Sequence, residues 1–321
     1  WCIDQFDGCR RHASFFETIE QQQMLDQGLL LTNEDLGYML PETTERAIDF
    51  IDEHQKNHAD KPMFLYFTPH AMHTPYNVPA DYDGINFQTK YSVTIPNSTI
   101  GFDHTRHNYL NFLALLDHCV GKVLAKIDQA GMTNNTLIIF SSDNGSLGYC
   151  YNSQVVPSSM GGPRNSVAKS LYMGNNAYST NLNRSGYKTM SYDGGHHTPL
   201  IFKWPGKIPA NTNKTQPVCQ TDIILTLADI LHVPLGPEVA EDSFPLTPLL
   251  LNGGNGTFTR APVIHHSRYG HLSIRDGNWK MTYADGHGGG GYLNGANSEP
   301  QGTPAAHWTT DPTKLKLYNM D

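Results

Sequence analysis

The chain has 321 residues, of which 38% are hydrophobic, and its formal net charge at pH 7 is −8. A chain of this length can bury a substantial core, and it predicts one large domain together with a small one. The negative charge balance argues against nucleic-acid binding, which needs a basic stripe. No apolar stretch is long enough to span a bilayer, so we expect no membrane span.

The cysteines and the glycosylation triplets bear on the cellular compartment. None of the five cysteines has the paired spacing of a zinc site; they are Cys2, Cys9, Cys119, Cys150 and Cys219. Cys2 and Cys9 could close a short loop in an exported protein, and the odd total leaves at least one thiol free or paired outside the chain. Asn-x-Ser/Thr triplets favour a secretory route, although they are also common by chance; they begin at Asn97, Asn134, Asn144, Asn183, Asn213 and Asn255. We therefore expect a secreted or otherwise exported glycoprotein, whether extracellular, lysosomal or periplasmic.

Helices and strands alternate along the first part of the chain. A helix begins near Pro41, and the apolar run 63–68 predicts a buried strand. A long amphipathic helix over 108–130 is followed by an apolar strand over 137–142, and a third strand is expected at 200–203. This alternation predicts an α/β fold with a mostly parallel, doubly wound sheet.

The last part of the chain has a different pattern. After a helix predicted over 221–232, short alternating runs at 272–275 and 279–283 indicate a small antiparallel sheet. We therefore place an α/β domain at 1–255 and a small C-terminal antiparallel α+β subdomain at 256–321.

Asp143 and Asn144 directly follow the apolar strand over 137–142 and precede Gly145. In open α/β sheets, ligands bind at the carboxyl ends of strands. A carboxylate beside an amide oxygen suits a divalent cation such as Ca²⁺. The alternative is an Asx turn that only ends the strand, and on this segment alone that interpretation is the more common one.

Two further loops carry polar groups near predicted strands. His70 and His73 follow the run 63–68, and Lys188 precedes the polar segment 192–199. A cation, an imidazole and an ammonium together would bind a tetrahedral anionic ester and protonate its leaving group. Taken singly, each residue has a structural alternative, because a lone histidine is more often a hydrogen-bonded structural residue and a lone loop lysine is usually solvated.

Several blocks occur in one order along the chain and together resemble a known family. They are Lys61 to Phe67 with His73-Thr74-Pro75, Leu116-Asp117 to Gly121, Asn135 to Gly145, Lys188 with Tyr192 to Gly195, Pro199 to Ile208, Thr221 to Leu231, Asp242 to Leu250, Ile274 to Lys280, and Leu317-Tyr318-Asn319. In this order they resemble the sulfatases, the formylglycine-dependent branch of the alkaline phosphatase superfamily. The resemblance is closest to arylsulfatases of the N-acetylgalactosamine-4-sulfatase type.

The resemblance implies a role for individual residues. It implies that Asp143 and Asn144 are ligands of an active-site Ca²⁺, and that His73 contacts the sulfate ester as, or beside, the general acid. Lys188 would hold a sulfate oxygen and the leaving-group oxygen. His70 could line the substrate subsite, and His266 lies in a segment that resembles one facing the active-site mouth. The implied substrate is a sulfated carbohydrate or an aryl sulfate.

Two departures from the family pattern stand out. The family normally has Arg where this chain has His197. No Cys or Ser is followed by the Pro and Arg that mark the formylglycine site, so we expect this nucleophile on an N-terminal segment missing from the chain.

The alternatives to a sulfatase are a catalytically inactive secreted relative and a phosphoesterase of the same superfamily. The polar loop 146–187 could offer tyrosines to a saccharide or be an ordinary surface insertion, and the sequence leaves the natural substrate and the oligomeric state open.

Overall fold

The computed structural model describes residues 38–73, 78–90, 106–145, 184, 188–236, 238–268, 270–283 and 315–319. The helices are α1 (Met39–Asn57), α2 (Arg106–Gln129), α3 (Asp193–His196), α4 (Asp222–Ile230) and α5 (Thr247–Leu250). The strands are β1 (Ile138–Ser141), β2 (Leu200–Lys203), β3 (Val263–His266), β4 (Leu272–Asp276), β5 (Trp279–Thr282) and β6 (Lys316–Asn319). The chain divides into two compact units, 1–133 and 134–321, and each is described by itself. The domain boundary expected after residue 255 stays a prediction.

In the first unit, α1 and α2 pack together through apolar positions at helical spacing. The buried side chains are Leu40, Ala47 and Ile51 on α1 and Phe112, Leu115, Leu116, Cys119, Val123 and Ile127 on α2. Both helices were predicted from this spacing, and both are confirmed. Cys119 and Cys219 are free thiols, whereas the other three cysteines lie outside the described residues.

A polar network also joins the two helices of the first unit to the turn at 82–85. Lys122 Nζ lies 2.5 Å from Glu45 Oε1 and 3.0 Å from Asp83 Oδ2, and Tyr82 donates to Glu45 at 2.6 Å. His118 Nε2 lies 2.8 Å from Asp83. Burial alone would lower the pKa of Lys122, but its hydrogen bonds to Glu45, Tyr82 and Asp83 outweigh burial and raise that pKa. The network therefore holds a charged lysine between the helices.

The strand predicted over 63–68 is not formed. The segment 62–70 has no assigned regular structure, and the side chains of Phe64 and Tyr66 are 78% and 80% exposed. A strand needs a neighbouring strand to hydrogen-bond its backbone. The described residues of the first unit offer no such neighbour.

The second unit contains two separate sheets among its described residues. β1 pairs with β2, with Ile138 opposite Lys203 and Ser141 opposite Leu200. The other sheet has four antiparallel strands in the order β3-β4-β5-β6, which confirms the small antiparallel sheet near the C-terminal end. β1 and β2 are themselves antiparallel. The mostly parallel arrangement is thus not seen among the described strands and stays a prediction.

An apolar cluster anchors β2 in the second unit. Leu246, Leu249 and Leu250 form its buried centre, and partly buried side chains pack against it, among them Leu200 and Phe202 of β2. Within the described residues no helix is long and apolar enough to cross a membrane.

Asp222, the first residue of α4, is a buried carboxylate with three partners. Its side chain accepts hydrogen bonds from the backbone N–H groups of Cys219 at 2.7 Å and Phe244 at 3.0 Å, and it pairs with Arg260 at 2.5 Å. The exposed fractions of the Arg260 and Asp222 side chains are 10% and 0%. A buried charge is tolerated only when it is paired and hydrogen-bonded, and Asp222 meets that condition.

Replacing Asp222 with Ala should therefore be strongly destabilising, because Arg260 would be left as an uncompensated buried cation. We expect the free energy of unfolding to fall by about 3–5 kcal/mol, measured by urea denaturation. Asp242→Ala, at an exposed position, is the matched control and should change stability by less than about 0.5 kcal/mol. Equal effects of the two substitutions would contradict this role of Asp222.

Candidate active site

The end of β1 is fixed by side-chain hydrogen bonds within the second unit. Ser141 Oγ donates to the carbonyl of Pro199 at 2.8 Å, which ties the end of β1 to the start of β2. Gln220 Nε2 donates to Ser141 Oγ at 2.9 Å and to the carbonyl of Ser142. The turn that carries Asp143 therefore starts from a well-defined position.

Asp143 and Asn144 present oxygen atoms suited to a hard cation. Asp143 is exposed, and its carboxylate makes no hydrogen bond or ion pair with a described residue. Asn144 Nδ2 donates to the carbonyl of Gly145 at 2.9 Å, which leaves Oδ1 as an available acceptor. Ca²⁺ takes about six to eight oxygen ligands, so these two residues fit part of a calcium set. Among the described residues no group of three His, Cys, Asp or Glu side chains could hold a metal.

Gly145 joins this turn to the segment that contains α3. Its N–H donates to the carbonyl of Gly195 at 2.9 Å. A Cβ atom at position 145 would lie only 1.8 Å from the carbonyl oxygen of Gly194. Glycine is required here because two stretches of backbone are in direct contact.

Lys188 begins the segment 188–197. Gly145 contacts this segment at Gly194 and Gly195. The lysine is partly buried, and its ammonium makes no hydrogen bond or ion pair with a described residue. The next residue, Thr189, has a φ of 82°, a left-handed conformation that is strained for a β-branched side chain. Asp143 and Asn144 thus lie on one segment of the second unit and Lys188 on another, and a backbone hydrogen bond joins the two segments.

The carboxylate of Asp193 is the electrostatic centre of this segment. It is buried and lies 2.6 Å from Arg184 Nη1, 3.8 Å from Arg275 Nη1 and 3.7 Å from His197 Nδ1. Two arginines from elsewhere in the chain provide the cations around Asp193, with His197 at the edge of the group.

One face of the four-stranded sheet covers this segment. Ser273 is opposite His265 on β3 and Thr282 on β5, and Arg275 is opposite Lys280, so strand alternation places all five on the same face. Ser273, Lys280 and Thr282 are almost completely buried. The sheet therefore packs on 188–197 through polar side chains.

The two adjacent histidines of β3 point in opposite directions. His265 lies on the covered face, with its ring centroid 4.0 Å from that of His196 and its Nε2 3.1 Å from Ser273 Oγ. His266 is exposed, and its Nδ1 lies 2.7 Å from the carbonyl of Ser267. Of the pair, His265 is the one in contact with the Lys188 segment, while substrate binding by His266 stays a prediction.

The histidines of this cluster are held neutral. Desolvation, followed by the positive charge of Lys280, lowers the pKa of His265 to about 2 and that of His196 to about 4. Burial also lowers the pKa of Lys280 to about 8, although Asp193 acts in the opposite direction. At neutral pH both imidazoles are therefore hydrogen-bonding groups without charge.

His70 and His73 belong to the first unit. The N–H of His73 donates to the carbonyl of His70 at 2.8 Å, so both residues lie in one tight turn. The centroid of the His70 ring lies 5.4 Å from the centroid of the Phe112 ring on α2. Burial, with a contribution from His73, lowers the pKa of His70 to about 4, whereas His73 is exposed. His73 is thus the better placed of the two to meet a ligand from solvent.

The family is established by comparison with known proteins. The family model described as Sulfatase matches residues 6–233. The chain belongs to the sulfatase family. It is 27% identical to human arylsulfatase A over 271 residues, which are 81% of this chain and 43% of the relative. It is 27% identical to an N-acetylgalactosamine-6-O-sulfatase of Bacteroides thetaiotaomicron over 290 residues, which are 90% of this chain and 45% of the relative. The chain thus spans less than half the length of these relatives.

Solved structures show the fold. A structure of Ps i-CgsB with k-i-k-neocarrahexaose has a TM-score of 0.58 and 21% identity, covering 84% of this chain and 54% of the other. A Bacteroides thetaiotaomicron sulfatase from a glycosaminoglycan locus has a TM-score of 0.57 and 22% identity, covering 86% of this chain and 47% of the other. These likenesses confirm the α/β sulfatase fold.

Gly145→Ala tests the backbone contact. The added methyl would meet the carbonyl oxygen of Gly194, and we expect a loss of about 1–3 kcal/mol in the free energy of unfolding. Gly121→Ala is the matched control, because nothing lies within 4 Å of its Cβ position in the middle of α2. That control should stabilise the protein by about 0.5–1 kcal/mol. If Gly145→Ala were as stable as the wild type, the two segments would not be in direct contact.

Acid should weaken the packing of the C-terminal sheet on the Lys188 segment. In the unfolded chain a histidine titrates near about 6.5, whereas His265 and His196 have folded pKa values of about 2 and about 4. Between these values the unfolded state binds more protons, so their contribution to stability is complete above about pH 6.5 and falls as pH decreases. Histidine NMR should show the His265 ring still neutral at pH 5, with His265→Gln used to assign its signals. Protonation of that ring near pH 6.5 would contradict the assignment.

Proposed function

We propose that the protein hydrolyses sulfate esters of a carbohydrate. The observation that carries this proposal is the direct bonding of the Asp143–Gly145 turn to the segment that follows Lys188, in a chain of the sulfatase family. This arrangement would place cation ligands and an ammonium on one side of a substrate. Carbohydrate is favoured because several relatives and fold neighbours are named for sulfated sugars, including N-acetylgalactosamine-6-O-sulfatase and a structure with D-glucosamine-2-N,6-O-disulfate.

The roles of the chain's residues follow from their charge and exposure. Asp143 and Asn144 would bind Ca²⁺ through Oδ1 atoms. Lys188 would bind a sulfate oxygen and the leaving-group oxygen, where negative charge develops as the ester bond breaks. His73 would donate a proton to that oxygen, and His70 and His266 would contact the sugar.

Two groups would complete the site. Ca²⁺ would offset the negative charge of the sulfate oxygens, and formylglycine would supply the nucleophile. None of the five cysteines is followed by the required Pro and Arg, so we propose that an N-terminal segment outside 1–321 supplies it. The same proposal includes the mostly parallel sheet and a domain boundary near residue 255.

Export is part of the proposal. Asn134, Asn213 and Asn255 begin glycosylation triplets and are exposed. Glycans can be attached only where the asparagine is accessible, so these positions suit an exported glycoprotein.

Lys188→Ala in the full-length protein is the central test. Removing the ammonium should lower kcat on an aryl sulfate by about 10²–10³-fold, because one electrostatic stabiliser of the leaving oxygen is lost. Lys207→Ala, an exposed lysine on the same unit, is the matched control and should leave kcat unchanged.

Asp143→Asn should weaken Ca²⁺ binding, measured by calorimetry.

The substrates discriminate between the possible activities. Turnover of the sulfate ester but not of the matching phosphate ester supports the proposal. Preferred turnover of the phosphate ester would identify a phosphoesterase. No turnover of either ester by the calcium-loaded full-length protein would identify an inactive relative.

A further inference from the structure

Hydrogen bonds hold two carbonyl groups directly after Lys188. The carbonyl of Thr189 accepts from the backbone N–H of Arg268 at 2.8 Å. The carbonyl of Ser191 accepts from Ser273 Oγ at 2.8 Å. The backbone that begins at Lys188 is therefore held at two of the next three peptide groups.

Both of these bonds come from the C-terminal sheet or its adjoining turn. Arg268 directly follows the Ser267 turn after β3, and Ser273 is on β4. Ser273 is 1% exposed, so water does not compete for its hydroxyl. A buried hydroxyl that satisfies a buried carbonyl gives a more rigid contact than one at the surface.

The hydrogen-bonding pattern also determines the protonation of His265. Ser273 has one hydroxyl proton, and it donates that proton to the carbonyl of Ser191. Its oxygen must then accept from His265 Nε2, 3.1 Å away, so Nε2 carries the ring proton. The serine and the histidine thus act as one unit on Ser191.

The strained conformation of Thr189 supports a functional reason for this arrangement. A threonine at φ 82° costs conformational energy and persists only where the surroundings determine it. Thr189 is the residue that sets the direction in which the chain leaves Lys188. The hydrogen bonds on 189–191 therefore maintain a backbone conformation that the sequence would not adopt alone.

We propose that Ser273 and His265 are positioning residues for Lys188, holding its ammonium in the place where it meets the ester oxygen. The inference rests on the proposed function for its catalytic consequence, but not for its structural part. Ser273 and His265 do not touch the substrate in this scheme and act only through the backbone of 189–191.

Kinetics of the full-length protein test the catalytic part. Ser273→Ala should lower kcat on an aryl sulfate by about 10-fold or more, with KM changed less than about twofold, because a misplaced ammonium affects the transition state most. His265→Ala should have a similar effect. His265→Gln should recover most of the activity, because its amide N–H can replace Nε2–H. In a Lys188→Ala background, Ser273→Ala should change kcat by less than about twofold.

Ser243→Ala is the matched structural control. Ser243 is also a buried serine, and its Oγ accepts from the backbone N–H of Leu225 at 3.2 Å. Its removal should lower the thermal midpoint about as much as Ser273→Ala, without changing kcat. If Ser273→Ala lowered kcat equally with and without Lys188, or if Ser243→Ala matched it in kcat, positioning of Lys188 would be excluded.

A second measurement needs no turnover. Limited acylation of the full-length protein, followed by mass spectrometry, gives the reaction rate of Lys188 with the exposed Lys203 as internal reference. Ser273→Ala should change the Lys188 rate relative to Lys203 at least about threefold, and His265→Gln should not. An unchanged ratio in Ser273→Ala would overturn the inference. If the wild type fails to hydrolyse sulfate esters while the ratio shifts as expected, the proposed function fails and the positioning of Lys188 stands.

Discussion

The contact between Gly145 and the backbone of Gly194 and Gly195 is the constraint on which the candidate site depends. It connects the turn of Asp143 and Asn144 to the segment that begins at Lys188 by a hydrogen bond of 2.9 Å, with no room for a side chain between them. Contacts between side chains can change with rotamers, but a direct backbone contact has little such freedom. The relative position of the two segments is thus set by main-chain atoms and does not depend on the rotamers of Asp143, Asn144 or Lys188.

The polar face of the C-terminal sheet packs against the segment 188–197. An antiparallel sheet usually buries its apolar face and exposes the polar one. Here Ser273, Lys280 and Thr282 are buried, while Ile264 and Trp279 on the opposite face are 65% and 54% exposed. The reason lies in what the sheet covers: a segment whose carbonyl groups and buried carboxylate need hydrogen-bond donors and cations. An apolar face would leave those groups without partners.

Local patterns in the sequence were sufficient for much of the fold. The periodicity of α1, α2 and α4, and the alternation in β4 and β5, predicted these elements because each has a regular apolar pattern. The run 63–68 was predicted as a strand from composition alone, and it fails because strand formation depends on a partner that composition does not show. The pairing direction of β1 and β2 is likewise a non-local property, because the two strands are far apart in the sequence and neither pattern shows which way its partner runs.

Some residues of the candidate site could likewise be predicted from local sequence patterns, and others could not. Asp143, Asn144 and Lys188 could be predicted because each occurs in a recognisable block. Ser273 and Lys280 could not, since alternating polar residues in a strand normally indicate the solvent face. Gly145 indicates only a turn at the end of the strand, and nothing local in the sequence shows that it meets Gly195.

The cations that surround Asp193 also help to keep the neighbouring histidines neutral. Arg184, Arg275 and Lys280 outnumber the single carboxylate of Asp193, so this part of the described structure has an excess of positive charge. An imidazolium at His265 would add a further cation in a desolvated place, which is why its pKa is so low. The neutral ring keeps one proton, and the hydrogen bond to Ser273 places that proton on Nε2. The buried cation Lys280 thereby helps to keep His265 neutral, and the contact with Ser273 then decides which of the two ring nitrogens keeps the remaining proton.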